Sequence, residues 1–251
     1  MVICTLGDLL LDVIVRLRVP LAPGDDVQAA SRAGAGGQAA NVAAWAAELG
    51  AEARLVCKRA DDEAGRLVAT ELAARGVEVL GPVVQGRTGV VVSLVEPGGE
   101  RSLVSDRGVS AELRADELDV KWFAGCDLLH VSGYALKQVA ARVASRISVD
   151  LSTRGAIDEQ FRTRFRQLRP DVVFATEIEL EAFGPLEAET LVVKHGAAGF
   201  TVNGERYSAA PAEVVDTTGA GDALAAGFLV GGPELAREAA ARCVAGPGAM
   251  P

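Results

Sequence analysis

Val214-Val215-Asp216-Thr217-Thr218-Gly219-Ala220-Gly221-Asp222-Ala223-Leu224-Ala225-Ala226-Gly227-Phe228 is the segment with the strongest indication of fold class in this chain. Two β-branched valines are typical of a strand end, and the Ala- and Leu-rich run after Asp222 predicts a buried helix. A strand that ends at small residues and continues as a helix leaves backbone N–H groups unpaired at the helix N-terminus. Those groups carry the positive end of the helix dipole, about half a charge. The Gly219–Gly221 turn is therefore a candidate anion site, since glycine lets an anion approach the backbone closely.

Asp222 lies in the first turn of this predicted helix, beside any anion held there. A carboxylate would repel a bound phosphate, so we interpret Asp222 as a general base. In that role it removes a proton from the group that attacks the phosphate. The alternative interpretation is an acid that only stabilises the helix N-terminus, as acids commonly do.

The composition fits a large α/β protein and excludes several function classes. The chain has 251 residues, of which 49% are hydrophobic and only 4% aromatic. Its net charge of −9 argues against nucleic acid or an anionic membrane as the main partner. Four separated cysteines without a C-x-x-C, and two histidines, indicate neither a zinc site nor a disulfide framework. Reduced cysteines favour the cytoplasm, and no apolar run reaches the length of a membrane span.

Strand and helix patterns alternate along most of the chain. This predicts an α/β fold with a doubly wound, mostly parallel sheet and helices on both faces, formed as a single domain by residues 1–251. A hairpin, Thr88–Val95 with Glu100–Ser105, interrupts the alternation. It predicts a small β lid formed by about 13–35 and 86–107, whose exposed edge could pair with a second copy in a homodimer. Residues 115–123 and 135–146 are predicted to be helical.

The glycine-rich segment at residues 34–42 permits two interpretations. Its Gly34-x-Gly36-x-x-Ala39 spacing matches a loose dinucleotide fingerprint, but irregular sequence precedes it and no acid follows about twenty residues later. In the other interpretation, Gly36 and Gly37 let a hydroxylated ligand lie against the backbone. Asn41 then offers both a donor and an acceptor to a sugar hydroxyl.

Five other charged residues, in three parts of the chain, have roles that stay open. Asp12 lies beyond the first strand and either faces a ligand or lies at a strand end in water. Arg107 is interpreted as a solvated surface residue in preference to a ligand for a carboxylate or phosphate. The acids at 177, 179 and 181 suit the N-terminus of a predicted helix, or hold Mg²⁺ through water.

Together these motifs resemble the ribokinase-like, or PfkB, carbohydrate kinase family. The matching motifs follow one another over nearly the whole chain: Gly7…Asp12, Gly36-Gly37-x-x-x-Asn41, Gly99-Glu100-Arg101-Ser102, Ser132-Gly133, Glu177/Glu179, Lys194-x-Gly196-x-x-Gly199 and Asp216–Asp222. The resemblance implies ATP-dependent phosphorylation of a hydroxymethyl group on a sugar, a sugar acid or a nucleoside.

The resemblance also implies a role for each matching residue. The base is Asp222, and the anion hole is formed by the amides of Gly219, Ala220 and Gly221. Substrate-binding residues are Asp12, Gly36, Gly37, Asn41 and Gly133. Nucleotide-binding residues are Lys194, Gly196, Gly199, Thr217 and Thr218. Metal candidates are Glu179, for Mg²⁺, and Asp216. In many members of the family the carbonyl region of Asp216 and Thr218 also binds a monovalent cation, such as K⁺.

Two departures from the family pattern leave an alternative function open. Thr176 stands where the family usually has an asparagine, which affects the expected metal-water network around Glu179. The chain also stops at Pro251, where relatives usually continue into further helix beside the adenine. The alternative to a kinase is a catalytically silent sugar- or nucleotide-binding sensor derived from one. Hydride transfer with a dinucleotide is a third, weaker interpretation.

Overall fold

The computed structural model describes residues 1–98, 100–139 and 144–251. Its strands are, in chain order, β1 (Val2–Leu6), β2 (Leu10–Leu17), β3 (Ala29–Gly36), β4 (Glu52–Val56), β5 (Arg59–Ala60), β6 (Val77–Leu80), β7 (Val83–Val84), β8 (Thr88–Val95), β9 (Arg101–Gly108), β10 (Leu128–Ser132), β11 (Arg146–Asp150), β12 (Val172–Thr176), β13 (Thr190–Lys194), β14 (Phe200–Val202) and β15 (Glu205–Tyr207). The α-helices are α1 (Gln38–Glu48), α2 (Glu63–Ala74), α3 (Glu159–Leu168), α4 (Glu177–Phe183) and α5 (Ala220–Val244).

Nine strands form the main sheet, in the order β15-β14-β13-β12-β11-β10-β1-β4-β6. The pairs from β13 to β6 are parallel, and only β14 and β15 join the sheet antiparallel. Every residue of β10 is buried, as expected for a parallel strand that is covered on both faces. The predicted doubly wound, mostly parallel sheet is confirmed.

Two hydrophobic clusters lie on the two faces of this sheet. One joins β-strand residues such as Ile3 and Phe174 to α1, α2 and α5. The other joins residues such as Cys4 and Val173 to α3 and to Phe183 of α4. Adjacent residues of one strand therefore enter opposite clusters, because side chains alternate across a strand.

A second sheet, which we call the lid sheet, has four strands in the order β3-β2-β8-β9. β2 pairs antiparallel with β3 and parallel with β8, and β8 pairs antiparallel with β9. The pairing of β8 with β9 confirms the predicted hairpin. Gly99 of its connecting turn lies outside the described residues.

Helix α5 is interrupted near its middle. Gly231 and Gly232 have non-helical backbone angles, and Pro233 follows them, so the chain turns back on itself at this point. A Cβ on Gly227 would lie 2.6 Å from the carbonyl oxygen of Leu235, which shows how closely the two halves pack. As a result, the end of α5 returns to its beginning, and the N–H groups of Val215 and Asp216 both donate to the carbonyl of Val244.

One strand prediction and two helix predictions are corrected. No strand ends at Val214 and Val215, which lie in an irregular, exposed segment, because the N–H of Val215 donates to the carbonyl of Val244 and not to a neighbouring strand. The stretch 115–123 forms two separate 3₁₀ turns, Ala115–Glu117 and Val120–Phe123, because the Asp119 side chain accepts from the N–H of Lys121 and starts a new turn. The interpretation of 135–146 as a helix falls partly on 140–143, outside the described residues, while Gly133–Gln138 is 3₁₀ and Arg146 already belongs to β11. Among the described helices, none combines the length and the apolar character that a membrane span needs.

Candidate active site

Polar residues meet where the parallel strands end. Asp8 follows β1, and Ser132, Asp150, Thr176 and Lys194 close β10, β11, β12 and β13. The order of strands reverses between β1 and β10, because β1 continues through β4 to β6 on one side and β10 through β11 to β13 on the other. A crevice outside the carboxyl ends of the strands, at such a switch point, is where open α/β sheets bind ligands.

Asp222 faces this edge from the first turn of α5. Its Oδ2 accepts a 2.7 Å hydrogen bond from Nδ2 of Asn41, on α1. Burial raises the pKa of Asp222 to about 7, helped by the negative charges of Asp150 and Asp8 and opposed by the Asn41 bond and the charge of Lys194. A carboxyl with this pKa changes its protonation state near neutral pH, as a general base must.

The other end of the Asn41 amide is buried and, within the described residues, its Oδ1 has no hydrogen-bond partner. A buried acceptor without a partner is costly, so this oxygen is available for a donor on a ligand. The two polar ends of one side chain thus connect the carboxylate of Asp222 to the position where a hydroxyl donor can bind.

The turn before Asp222 exposes backbone donors. Gly219 has a φ of 77° and ends the turn that precedes α5. The N–H of Ala220 makes only a long 3.4 Å bond to the carbonyl of Thr217. In the part of the chain that the structure describes, the N–H of Gly221 donates to no protein group. These donors lie at the positive end of the first half of α5, a geometry that favours an anion.

Lys194 lies across from this turn. Its Nζ donates a 2.6 Å bond to Oδ2 of Asp150, and a Cβ on Gly221 would lie 3.5 Å from the same nitrogen. Burial lowers the pKa of Lys194, but the carboxylates of Asp150 and Glu179 outweigh it and the pKa is raised. A fixed positive charge therefore faces the anion site from the end of β13.

A cavity of about 620 Å³ opens beside the turn and is large enough for a small-molecule ligand. Its polar lining includes Lys194, Thr176 and Thr217, and its glycines include Gly196, Gly199 and Gly221. The rest of the lining is largely alanine, valine and leucine. Apart from Thr218, the residues expected to bind the nucleotide all line this one cavity.

Gly36 and Gly37, expected to bind the substrate, make room for the side chain of Asp12 and the backbone of Asp8. A Cβ on Gly36 would lie 2.1 Å from Cγ of Asp12, and one on Gly37 would lie 2.6 Å from the carbonyl oxygen of Asp8. Burial and the charge of Asp8 raise the pKa of Asp12 to about 6, opposed by Arg101. Asp12 lies on β2 of the lid sheet, so the lid brings a carboxyl to the edge of the main sheet.

Gly133, expected at the substrate site, has a different environment. Its N–H donates to Oγ of Ser152 at 2.8 Å, and a Cβ there would lie 2.6 Å from the carbonyl oxygen of Leu151. Ser132 and Ser152 both donate to Oε1 of Gln38, the first residue of α1. The backbone of Gly133 therefore positions this serine–glutamine cluster.

The two metal candidates differ in their partners. Glu179 forms a reciprocal cap with Thr176, whose N–H donates to Oε2 at 2.8 Å and whose hydroxyl accepts from the N–H of Glu179. Asp216 accepts bonds from Thr218, Gly248 and Arg16. Among the described residues, no group of three or more His, Cys, Asp or Glu side chains could hold a metal ion.

Comparison with known proteins assigns the family. Residues 3–244 match the family model described as "pfkB family carbohydrate kinase". The chain belongs to this family. The PfkB assignment confirms the resemblance inferred from the motifs, and it makes this chain a carbohydrate kinase.

Three relatives of this PfkB chain indicate how far the likeness extends. An ATP-dependent ribose-1-phosphate kinase of Halopiger xanaduensis is 33% identical over 239 residues, covering 87% of this chain and 80% of the relative. The crystal structure of adenosine kinase from Sinorhizobium meliloti has a TM-score of 0.82 at 25% identity, covering 99% of this chain and 95% of that one. A putative ribokinase II from E. coli, in complex with ATP and Mg²⁺, has a TM-score of 0.82 at 20% identity, covering 99% and 94%.

One interpretation of a side chain in this PfkB chain is wrong. Arg107 is not a solvated surface residue, since its side chain is only 25% exposed and donates a 2.6 Å bond to Oδ2 of the buried Asp8. The guanidinium also lies over the ring of Tyr134. Sequence patterns did not reveal this, because the residues that enclose Arg107 come from the segments that follow β1 and β10.

Several functional neighbours were not identified from sequence. Arg16 extends from the lid sheet to Asp216, although nothing in its local sequence marks it. Arg101 belongs to a quoted motif, but its bond to the hydroxyl of Thr218 was not predicted. The tail after α5 also reaches the turn, where a Cβ on Gly219 would lie 2.5 Å from Cβ of Ala249. The Gly- and Pro-rich composition of this tail indicates a turn, but it does not show which part of the protein the tail contacts.

Proposed function

We propose that this PfkB chain is an ATP-dependent phosphotransferase that phosphorylates a hydroxymethyl group of a sugar, a sugar acid or a nucleoside. One observation carries the proposal: Asp222, with a pKa of about 7, is held by Asn41 directly beside the free backbone donors of the Gly219–Gly221 turn. A base and an anion site side by side suit the transfer of a phosphoryl group to an alcohol.

In this mechanism, Asp222 removes the proton of the attacking hydroxyl. Asn41 donates to Oδ2 of Asp222, which leaves Oδ1 to accept the proton. The unpartnered Oδ1 of Asn41 accepts a bond from a second hydroxyl of the substrate, so the amide orients substrate and base together. Such positioning lowers the activation barrier because the reacting atoms are already held in line.

The amides of the turn and Lys194 stabilise the charge that develops on the transferred phosphoryl group. The N–H groups of Ala220 and Gly221 point out of the N-terminus of α5, and the ammonium of Lys194 lies opposite. Donors that are already in place cost no reorganisation during the reaction. The cavity beside them, about 620 Å³, is proposed to hold the nucleotide.

Mg²⁺ fits this site only as an ion held mainly by the nucleotide. One oxygen of Glu179 is engaged by the N–H of Thr176, and the described residues offer no cluster of three acids. Mg²⁺ commonly keeps several waters and binds through one or two carboxylates plus substrate phosphates. Glu179 would hold it through water, and the ion would neutralise phosphate charge.

The test is ATP consumption, measured with ribose 1-phosphate, ribose, fructose, a keto-deoxy sugar acid and adenosine as acceptors. We expect ADP and a phosphorylated product with at least one acceptor, in amounts that match each other. ADP released by the protein with ATP and no acceptor is measured separately and subtracted. Tight binding of acceptor and ATP without turnover would contradict the kinase and favour the sensor.

A further inference from the structure

The carboxylate of Asp216 is surrounded by donors on both of its oxygens. Oδ1 accepts from the N–H of Thr218 at 2.9 Å and from the Thr218 hydroxyl at 2.6 Å. Oδ2 accepts from the N–H of Gly248 at 3.2 Å and from a guanidinium nitrogen of Arg16 at 3.1 Å. A carboxylate offers about four acceptor sites, so four donors satisfy it.

Arg16 is the basic side chain that neutralises this carboxylate. The side chain of Asp216 is 5% exposed, whereas that of Arg16 is 40% exposed. Burial raises the pKa of Asp216, but the bonds from Thr218 and Gly248 and the charge of Arg16 outweigh it, and the pKa is lowered. Asp216 therefore stays charged, and the guanidinium balances that charge.

Arg16 belongs to β2 of the lid sheet, far from Asp216 in sequence. A second arginine of the lid sheet, Arg101 on β9, donates to the hydroxyl of Thr218. Two strands of the lid sheet therefore reach the same three-residue segment, Asp216–Thr218, which leads directly into the anion-binding turn. The positions of the Asp216 and Thr218 side chains therefore depend on the position of the lid sheet.

The donors around Asp216 disagree with the monovalent cation expected there. A cation needs oxygen atoms that are free to coordinate it, and both oxygens of Asp216 already accept N–H or O–H groups. A cation bound to Oδ2 would also lie close to the guanidinium, and like charges at such short range repel strongly. The carboxylate is thus suited to Arg16 and not to K⁺.

We propose that Arg16 replaces a monovalent cation at Asp216, so that the positive charge behind the anion-binding turn is delivered by the lid sheet. Arg16 acts as a positioning residue through Asp216 and Thr218, without touching the reacting atoms. The inference rests on the proposed kinase function for its catalytic consequence. It has two consequences: turnover is independent of K⁺, and the lid sheet must be closed for the turn to be fully charge-balanced.

The experiment compares the wild type with Arg16→Gln, Arg16→Lys and the control Arg18→Gln. Arg18 is an exposed arginine just beyond the end of β2, so its variant removes the same charge without touching Asp216. Turnover is measured by direct chromatography of ADP in potassium chloride and in tetramethylammonium chloride at equal ionic strength. Thermal unfolding without substrate is followed in the same two salts.

We expect wild type and Arg18→Gln to turn over equally, within about twofold, in both salts. In tetramethylammonium, Arg16→Gln should lose roughly 10- to 100-fold, the range for removing one hydrogen bond to a charged group. Potassium should restore much of that loss and should raise the unfolding temperature of Arg16→Gln but not of the wild type. Arg16→Lys should keep most of the activity in both salts.

Three results would overturn the inference: a wild type that loses tenfold or more without K⁺, an Arg16→Gln variant equal to wild type in both salts, or a loss that K⁺ leaves unrestored. If Arg16→Gln does not fold, the K⁺ dependence of wild-type turnover still tests the inference. Failure of the kinase proposal is distinguishable, because the unfolding comparison needs no substrate. If no acceptor is phosphorylated but K⁺ stabilises only Arg16→Gln, the kinase proposal fails and the cation replacement stands.

Discussion

Three aspartates near the turn show how surroundings assign different roles to one side chain. Asp222 and Asp12 are partly buried among other acids, and their pKa values are raised to about 7 and about 6. Asp216 is also buried, but its four donors lower its pKa. Groups whose pKa values are driven apart in this way can act separately. Asp222 can exchange protons near neutral pH, while Asp216 remains a fixed charge.

Replacing Asp222 by Asn should remove the base while keeping the shape of the site. We expect kcat to fall by ~10²–10⁴-fold, the contribution of a positioned general base. The affinity for ATP should change little, because the turn amides and Lys194 remain. Single-turnover kinetics and calorimetric ATP titration measure the two quantities. Near-normal turnover in this variant would remove Asp222 from its assigned role.

The pH dependence follows from the raised pKa of Asp222. A base works in its deprotonated form, so kcat/KM should fall about tenfold for each pH unit below about 7 and level off above it. The measurement is a pH profile of kcat/KM in a constant-ionic-strength buffer series. In Asp222→Asn the residual rate should lose this inflection. A wild-type inflection near 4 would contradict the burial argument.

At the scale of elements, the break in α5 determines the position of the Gly219–Gly221 turn, the candidate anion site. The first half of α5 presents the turn amides, and the second half brings Val244 back to Val215 and Asp216. This return depends on close packing at Gly227, whose missing side chain leaves room for the backbone of residues 235 and 236. The halves of one helix thus hold the turn from both sides.

Gly227→Ala should therefore destabilise the fold. The new Cβ would lie 2.6 Å from the carbonyl oxygen of Leu235, and overpacking of this kind typically costs about 1–3 kcal/mol. Gly155→Ala is the matched control, because nothing lies within 4 Å of its Cβ position. Urea unfolding of both variants measures the difference. Equal free energies of unfolding for the two variants would show that the halves are free to separate.

At the scale of the whole molecule, segments distant in sequence close the site. The lid sheet contributes Asp12, Arg16 and Arg101, while the tail after α5 contributes two backbone groups. The N–H of Gly248 donates to Asp216, and the carbonyl of Ala249 accepts from Nε1 of the buried Trp45 at 2.8 Å. Lid, sheet edge and tail therefore meet around one turn, and their relative placement sets its geometry.

Deleting residues 247–251 should lower both stability and turnover. The deletion leaves the buried indole N–H of Trp45 without its acceptor and removes one of the two donors to Oδ2 of Asp216. A buried polar group left unsatisfied costs roughly 1–3 kcal/mol. Deleting Pro251 alone, which removes only an exposed bond from Arg75, is the control. Calorimetric unfolding and kcat are compared for both. A deletion variant with wild-type unfolding would contradict the closing role of the tail.

The class of fold and the location of the main motif could both be predicted from the amino-acid sequence. Alternating strand and helix patterns predict a covered parallel sheet, and the Asp216–Asp222 motif predicts a turn with free amides at a helix N-terminus, because both depend on neighbouring residues and local backbone geometry. The strand predicted at Val214 and Val215 does not form. Tertiary structure alone decided that Arg107 is enclosed with Asp8 and that Arg16 meets Asp216. Those pairs join segments about 100 and 200 residues apart, and only the folding of the lid and of α5 brings their charges together.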